Sequence, residues 1–544
     1  MRLAAVLSKL LLLTLLTSCE DETIVDQATR DGILIIGNSN EPKGLDPHLV
    51  SGVLESNIIR ALFEGLTLGH PSEDGVALPG AAARWEANGD FTVWTFHLRP
   101  DGKWSDGAPV TARDFLFSYR RLLTPTLPAE YSEMLFFIKN ARAFNKGEIT
   151  DFAEVGVEAV DDFTLKLTLR GPVPFLPEIT KHYTWYPVPK HIVTKYGRID
   201  TPFTDWTDPG KLVSNGPFQL KSWRVNHYFE VERNPHYWDA ASVGLNGIRY
   251  LPTTNIYTEA RMFLDGQIHA TYTLPPEMID YAREHIPEML RQEPYVGVRF
   301  MRVNTRRKPL DDPKVRHALA AAIDRQSIIE NILRGGQQPA SGIVPPFGNY
   351  QSPNRIHFDP ERARRLLEES GYTTSSGFPD ITFLTTDRDS ARRMAEAIQA
   401  MWREHLGINV RIVQREWITY LQRQYDSDFD ICAGGWIGDY LDPTTFLEMW
   451  LADGGNNNTG WASEDYMNLL RKAENTADPA ARLRTLAEAE TILLEDLPVI
   501  PNYWYTTNYL LRPEVQNWHP LLLNNHPFKF VELVPSGSKV PGQK

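Results

Sequence analysis

Two cysteines, Cys19 and Cys432, are all that this 544-residue chain contains. Cys19 falls in the leader described below, so no intramolecular disulfide is expected and the core must hold without one in an oxidising compartment. Positive charge is short as well: 56 Lys and Arg stand against 69 Asp and Glu, for a net charge of -13, and no basic cluster offsets it. A nucleic-acid backbone needs a basic surface to displace its counterions, which excludes nucleic acid as a partner. After the leader, no apolar run approaches the roughly 20 residues of a membrane-spanning helix. Catalytic signatures are missing too. There is no phosphate-cradling glycine loop, no G-x-S-x-G, no H-E-x-x-H and no paired-cysteine metal spacing. In "LDPHL" Asp46 and His48, with Glu41 and Glu55 nearby, offer one imidazole among carboxylates. At a proline-containing turn, Asp46 reads instead as a structural acceptor of backbone N–H groups. The expectation is a binding protein, without enzyme activity, cofactor or metal.

What is present begins with "MRLAAVLSKLLLLTLLTSC". Arg2 and Lys9 flank or precede a leucine-rich run, Leu10 to Leu16, that is too short for a permanent membrane span and reads as a secretory signal. Cys19, after Leu16-Thr17-Ser18 and before acidic "EDE", looks like the cysteine of a bacterial lipobox. It is expected to be the lipidated first residue of an exported, membrane-tethered protein.

The texture of the chain changes near residue 255. Before it, "GILIIG" reads as a strand from Ile33 and "ESNIIRALFEGL" as a helix with Ile58, Ile59, Leu62 and Phe63 on its apolar side. Alternating stretches punctuated by Asp-Gly follow from Phe91, and again over Val157 to Leu169 and Ser214 to Asn234. A helix opens at Thr111. After residue 255, Asp-Pro pairs at Asp312, Asp359 and Asp478 start helices. The first is expected to run through "KVRHALAAAIDRQSIIENIL", with Val315, Leu319, Ile323 and Ile328 on or near one face. Strands are expected at Ile381 to Thr386, Ile408 to Trp417 and Phe429 to Trp436, with a helix from about Ser390 to Leu406. Strand–helix–strand implies a partly parallel, helix-covered sheet. "PVIPNYWYTTNYLL" closes the fold as β, and "PSGSKVPGQK" reads as a disordered tail. A hairpin-rich half and an α/β half suggest two lobes with a ligand cleft between them.

One loop of that second half, "AGGWIGDYLDPTTF", puts Trp436, Asp439, Tyr440 and Asp442 close behind Gly434 and Gly435. A solvated acidic loop needs no tryptophan, and a core has no use for an unpaired aspartate. The combination fits a cationic ligand that arrives at Asp439. The glycines would let an extended ligand pair with the main chain, while Trp436 and Trp417 would offer broad faces tolerant of different side chains.

Several blocks in order carry a family resemblance: "EPKGLDPHLVSGVLESNIIRALFEGL", "VWTFHLRPDGKWSDGAPVTARDF", "VEAVDDFTLKLTLRGPVPF", "VSNGPFQLKSW", "DDPKVRHALAAAIDR" and "FDICAGGWIGDYLDPTTFL". The chain resembles the peptide/nickel family of solute-binding proteins, and within it the oligopeptide-binding components of ABC importers. The resemblance implies an α/β, three-domain periplasmic-binding-protein-like fold, with mixed sheets flanked by helices and two lobes that hinge closed around the ligand. It implies domain I in residues 20–53, 178–273 and 506–544, domain II in 54–177, and domain III in 274–505. It further implies a short peptide held by its amine at Asp439, with Glu41, Trp436, Trp417, Gly434, Gly435, Tyr440, Asn215 and Gly216 around it. The partners implied are the permease subunits of an ABC transporter with its cytoplasmic ATPases, for a periplasmic protein that works as a monomer. The family's carboxylate-receiving arginines fall at Ala433 and Gln424 here, and its histidine position falls in "DRDSARR". Arg423, Arg388 and Arg392 are the candidates to replace them. A cell-wall peptide, a modified peptide or a non-peptide solute such as a nickel chelate are the rival ligands.

Overall fold

The computed structural model describes residues 22–372, 377–452 and 454–535; Cys19, the leader and the 536–544 tail lie outside the described residues. In the first lobe, strand Ile33–Gly37 pairs in parallel with Gly247–Leu251, which continues antiparallel into Tyr228–Arg233 and Phe218–Arg224. A second sheet, Ala82–Ala87, Val93–Leu98, Thr164–Thr168 and Val157–Ala159, is antiparallel throughout. Its strands alternate as the sequence does: Trp94, Phe96 and Leu98 turn inward with Leu165 and Leu167. One continuous core joins the two sheets, and helix Val53–Leu62 sends Ile58, Ile59 and Leu62 into it. Helix Ala112–Leu123 starts where the Asp114 carboxylate accepts the Thr111 N–H at 2.9 Å.

The second lobe has its own core around a six-stranded mixed sheet. Its strand order is Gln338–Pro339, Val499–Leu510, Leu290–Val303, Ile431–Ile437, Ile381–Thr386 and Val410–Arg415. Helix Asp389–Leu406 makes the crossover between the parallel strands at 381 and 410. The Asp-Pro starts act through their carboxylates. Asp312 accepts from Lys314 N, Asp359 from Arg362 N and Asp478 from Ala481 N, at 2.8, 2.9 and 2.6 Å.

Two expectations need correction. The helix from Pro313 stops at Ala321 and restarts at Arg325, because Asp324 turns its carboxylate to the Ser327 N–H at 3.0 Å; a π turn, Ile329–Leu333, follows. Val315, Leu319, Ile323 and Ile328 are buried nonetheless. The strand expected to reach Trp417 ends at Arg415, since Glu416 caps a helix, Trp417–Tyr425, by accepting the Ile418 N–H.

Two long strands tie the lobes together. Leu290–Val303 and Val499–Leu510 run antiparallel with a register shift between Pro294 and Val298, and their Leu290–Leu510 end lies beside the first sheet, where Leu511 pairs with Ala270 and Ala270 with Ile36.

Candidate ligand-binding cleft

Between the lobes lies a cleft of about 790 Å³, within the usual range for ligand sites. The first lobe contributes Ser51, Ser56, Arg60, Tyr131 and Tyr183. The second contributes the glycine-rich strand, Asp439, Trp417 and Tyr505. Strand Ile431–Ile437 is paired along one side over its whole length, Ile431 opposite Val303 through Ile437 opposite Gly297. On the other side its ladder with Ile381–Thr386 covers only Ile431 and Cys432. The Tyr420 hydroxyl takes the Ala433 carbonyl, and from Gly434 onward this edge faces the cleft. An unpaired strand edge is a template for an extended chain.

The two aspartates of the neighbouring loop differ in one respect. Asp442 is buried and bidentate with Arg482, at 2.6 and 2.9 Å. Asp439 lines the cleft with protein around it, and no cation pairs with it among the described residues. Burial, with Glu133 adding repulsion, pushes its carboxyl up to about 7. A carboxylate left in that state is one that a charged ligand group can complete.

Residues 77–458, more than half of the chain, match the family of bacterial extracellular solute-binding proteins, family 5 (middle region). The chain belongs to this family. The solute-binding protein is 36% identical over 497 residues to the periplasmic oligopeptide-binding protein OppA of Salmonella typhimurium, covering 89% of each chain. It is 34% identical to the periplasmic murein peptide-binding protein MppA of Escherichia coli, over 88% of this chain and 89% of that one. The solved structure of the E. coli murein tripeptide binding protein matches with a TM-score of 0.81 at 31% identity, covering 92% of this chain and 98% of that one.

The cleft of this solute-binding protein gathers Asp439, Trp436, Trp417, Gly434, Gly435 and Arg388. Trp417 is half exposed, stacked at 5.6 Å on Tyr420, with the Arg388 guanidinium 5.9 Å from its ring centre. Trp436 donates its indole N–H to Thr445 Oγ1 at 3.4 Å. The other candidates lie outside the cleft lining and are engaged elsewhere. Glu41 accepts the Trp223 indole N–H and, at 2.9 Å, the Asn226 N–H at the tip of a first-lobe hairpin. Asn215 clamps both backbone groups of Glu64, at 3.0 and 2.9 Å. The Gly216 N–H donates to the Leu62 carbonyl so closely that a Cβ would lie 2.6 Å from that oxygen. Tyr440 is buried against Phe137 and Phe175. Arg392 pairs with Asp389 and Glu396, and Arg423 with Asp428 at 2.8 Å. Asp46 serves structure, held by Arg121 at 2.6 and 2.9 Å and by the Trp206 indole at 3.2 Å.

Sequence reasoning missed three arginines in the lining: Arg60, Arg299 and Arg302. Arg302 reaches Gln424 Oε1 at 3.4 Å and lies against Gly434. A guanidinium from the neighbouring strand thus stands beside the two positions, Gln424 and Ala433, where arginine had been looked for. The signal was there: "VGVRFMRV" interrupts an apolar strand twice with arginine, and a charge buried in a strand needs a reason.

Proposed function

We propose that the protein is the extracytoplasmic solute-binding component of an ABC importer, and that it binds short peptides in extended form between its lobes for delivery to a membrane permease. The observation that carries this reading is Asp439, a half-buried carboxylate with no cation paired to it among the described residues, just past the end of a strand whose free edge faces the cleft. A peptide's α-ammonium completes it with a charge-assisted bond worth about 1.5–3 kcal/mol. The ligand main chain pairs with the edge at Gly434 and Gly435, Trp436 and Trp417 offer broad faces to its side chains, and its carboxylate end meets Arg388, Arg299 and Arg302. Support comes from the relatives, which include proteins named for oligopeptide binding and for murein peptide binding. The protein acts in the periplasm as a monomer, tethered by lipid on Cys19. The lobes divide into three domains near residues 54, 178, 274 and 506; the two four-stranded sheets each fall within one of them, and the six-stranded sheet falls in the third except for the end of Val499–Leu510, which runs past 506.

Native mass spectrometry of the protein purified without denaturant tests the reading. Retained peptides of two to five residues are expected, lost in Asp439→Asn without loss of folding. One defined non-peptide mass, or peptides retained equally by the variant, would overturn it.

A further inference from the structure

The charge of the cleft is opposite to that of the protein around it. The chain carries -13 overall. Among the described residues, the cleft lining holds four guanidinium groups, Arg60, Arg299, Arg302 and Arg388, against one carboxylate, Asp439, with Glu130 and Glu133 behind it on the first-lobe wall. The one histidine there, His182, is kept neutral by burial and by Arg60, which push it down to about 3. None of the four guanidiniums pairs with a carboxylate among the described residues. Arg60 donates to the Ser56 hydroxyl from Nε and Nη2, and its buried Nη1 has no partner. Arg302, 4% exposed, reaches only the Gln424 amide oxygen at a long 3.4 Å, and its Nε is unsatisfied. Its guanidinium rests 5.0 Å from the centre of the Phe300 ring. Burial pushes Arg302 below the usual arginine range, and Arg299 adds repulsion. Arg299 lies among the Tyr505, Tyr503 and Tyr420 hydroxyls, and Arg388 lies over Trp417. Buried charges are ordinarily paired. Arg302 departs from that rule, and with Arg60 and Arg299 half-buried and Arg388 exposed beside it the cleft presents cations that anions can complete.

An ordinary peptide does not supply enough of them. Its ammonium is matched by Asp439 and its carboxylate by one or two of the arginines, which leaves positive charge in excess. We propose that this cleft selects peptides with more carboxylates than amines, and that Arg299 and Arg302 receive an acidic side chain or second carboxylate near the fourth or fifth residue of the ligand. The proposal rests on the peptide-binding reading above and specifies its substrate class. The position follows from register. Arg299 stands opposite Gly435 and Arg302 opposite Cys432. Gly435 lies four residues from Asp439, about 13 Å along a strand at the usual rise. An extended peptide anchored by its amine at Asp439 covers that span at its fourth or fifth residue. The neutral polar groups of Tyr420, Gln424, Tyr503 and Tyr505, which share the lining there, can hydrogen-bond a carboxylate but do not cancel its charge.

Titration calorimetry on the mature protein, freed of bound peptide, tests this with Ala-Ala-Ala-Glu, Ala-Ala-Ala-Ala and Ala-Ala-Ala-Lys. Ala-Ala-Ala-Glu is expected to bind at least tenfold tighter than Ala-Ala-Ala-Ala, and Ala-Ala-Ala-Lys more weakly than either. The glutamate advantage should shrink as salt rises. In Arg299→Gln the Glu/Ala ratio should fall several-fold, and Arg299→Lys should recover most of it. Equal affinities for the three peptides, or a preference for lysine, would overturn the charge selection while leaving peptide binding intact. Failure of all three to bind would overturn the peptide reading itself. An unchanged ratio in Arg299→Gln would remove Arg299 from the assignment, and if that variant does not fold, the order of affinities in the unaltered protein still decides.

Discussion

On the proposed reading, in which Asp439 receives the peptide's amine, a carboxyl that titrates near neutrality makes binding depend on pH in a definite direction. Burial, with Glu133 adding repulsion, holds the Asp439 carboxyl up to about 7 in the empty cleft. Tyr131, Tyr183, Tyr295 and Tyr440 surround it, and burial raises their hydroxyls further, so they stay neutral. An ammonium ion favours the ionised carboxylate, so the bound pKa lies below the free one. Affinity then rises with pH up to about 7, and falls about tenfold per unit below it until the bound-state pKa is passed. Loss of the proton from the peptide's amine, near pH 8, sets the upper limit. Calorimetry of one tripeptide at pH 5.5, 6.5 and 7.5 should show this slope, with proton release near pH 6, and Asp439→Asn should be weak and nearly flat. A flat profile in the unaltered protein would mean that Asp439 does not meet the amine. At this scale the sequence exposes Asp439, because its loop suits neither solvent nor core. It hides Arg60, whose helix face looks solvated until another lobe covers it. It also hides the partners that occupy Glu41, Asn215 and Tyr440, all of which come from distant stretches of chain.

The glycines of strand Ile431–Ile437 do more than admit a ligand. A Cβ on Gly434 would lie 2.7 Å from Phe300 Cε2 and would press on the Arg302 guanidinium. A Cβ on Gly435 would lie 2.5 Å from the Tyr505 hydroxyl. Phe300 is fully buried and edge-on to Trp450 at 5.4 Å, so its ring has little room to give. Gly434→Ala should therefore cost about 1–3 kcal/mol of stability by overpacking. It should also lower the Glu/Ala affinity ratio by shifting Arg302, which thermal denaturation and calorimetry on the same sample would show. Unchanged stability and ratio would mean that the strand backbone simply moves aside. Elements of this kind are readable in sequence where local chemistry decides them: Asp-Pro helix starts, the crossover helix, the alternating hairpins. Reading fails where a single side chain redirects the chain, as Asp324 does in breaking a helix and Glu416 in ending a strand at Arg415, two residues short of Trp417. The side chains that line the cleft from Leu290–Val303 depend on which strand edge is left unpaired, and only the assembled sheet fixes that.

Across the whole molecule, the loop that presents Asp439 also reaches into the other lobe. Tyr440, the next residue, is 4% exposed and belongs to the core of the first lobe. It stacks on Phe175 and meets Phe137 edge-on, both at 6.1 Å between ring centres. Around it Arg482, held by Asp442, lies 4.5 Å from the Phe175 ring centre, and Arg170 of the first lobe bridges to Glu474 at 2.7 Å. The ion pair is part-exposed and worth little by itself, so the buried aromatic contact is the stronger tie. An open form must withdraw Tyr440 from this core, and withdrawal carries Asp439 away from Tyr131 and Tyr183 on the same wall. On the proposed reading, ligand on Asp439 and closure at Tyr440 would be linked through one peptide bond, while the paired strands at 290–303 and 499–510, with their shifted register, join the lobes at the far side. Tyr440→Ala should raise the radius of gyration of the ligand-free protein in small-angle X-ray scattering, weaken a bound tripeptide by about tenfold, and let saturating peptide restore the compact form. An aromatic pair contributes about 0.5–1.5 kcal/mol beyond its buried area, and two such contacts are lost together. If the variant melts earlier yet keeps both its compact scattering and its affinity, Tyr440 serves only to stabilise the fold and the closing contact lies elsewhere.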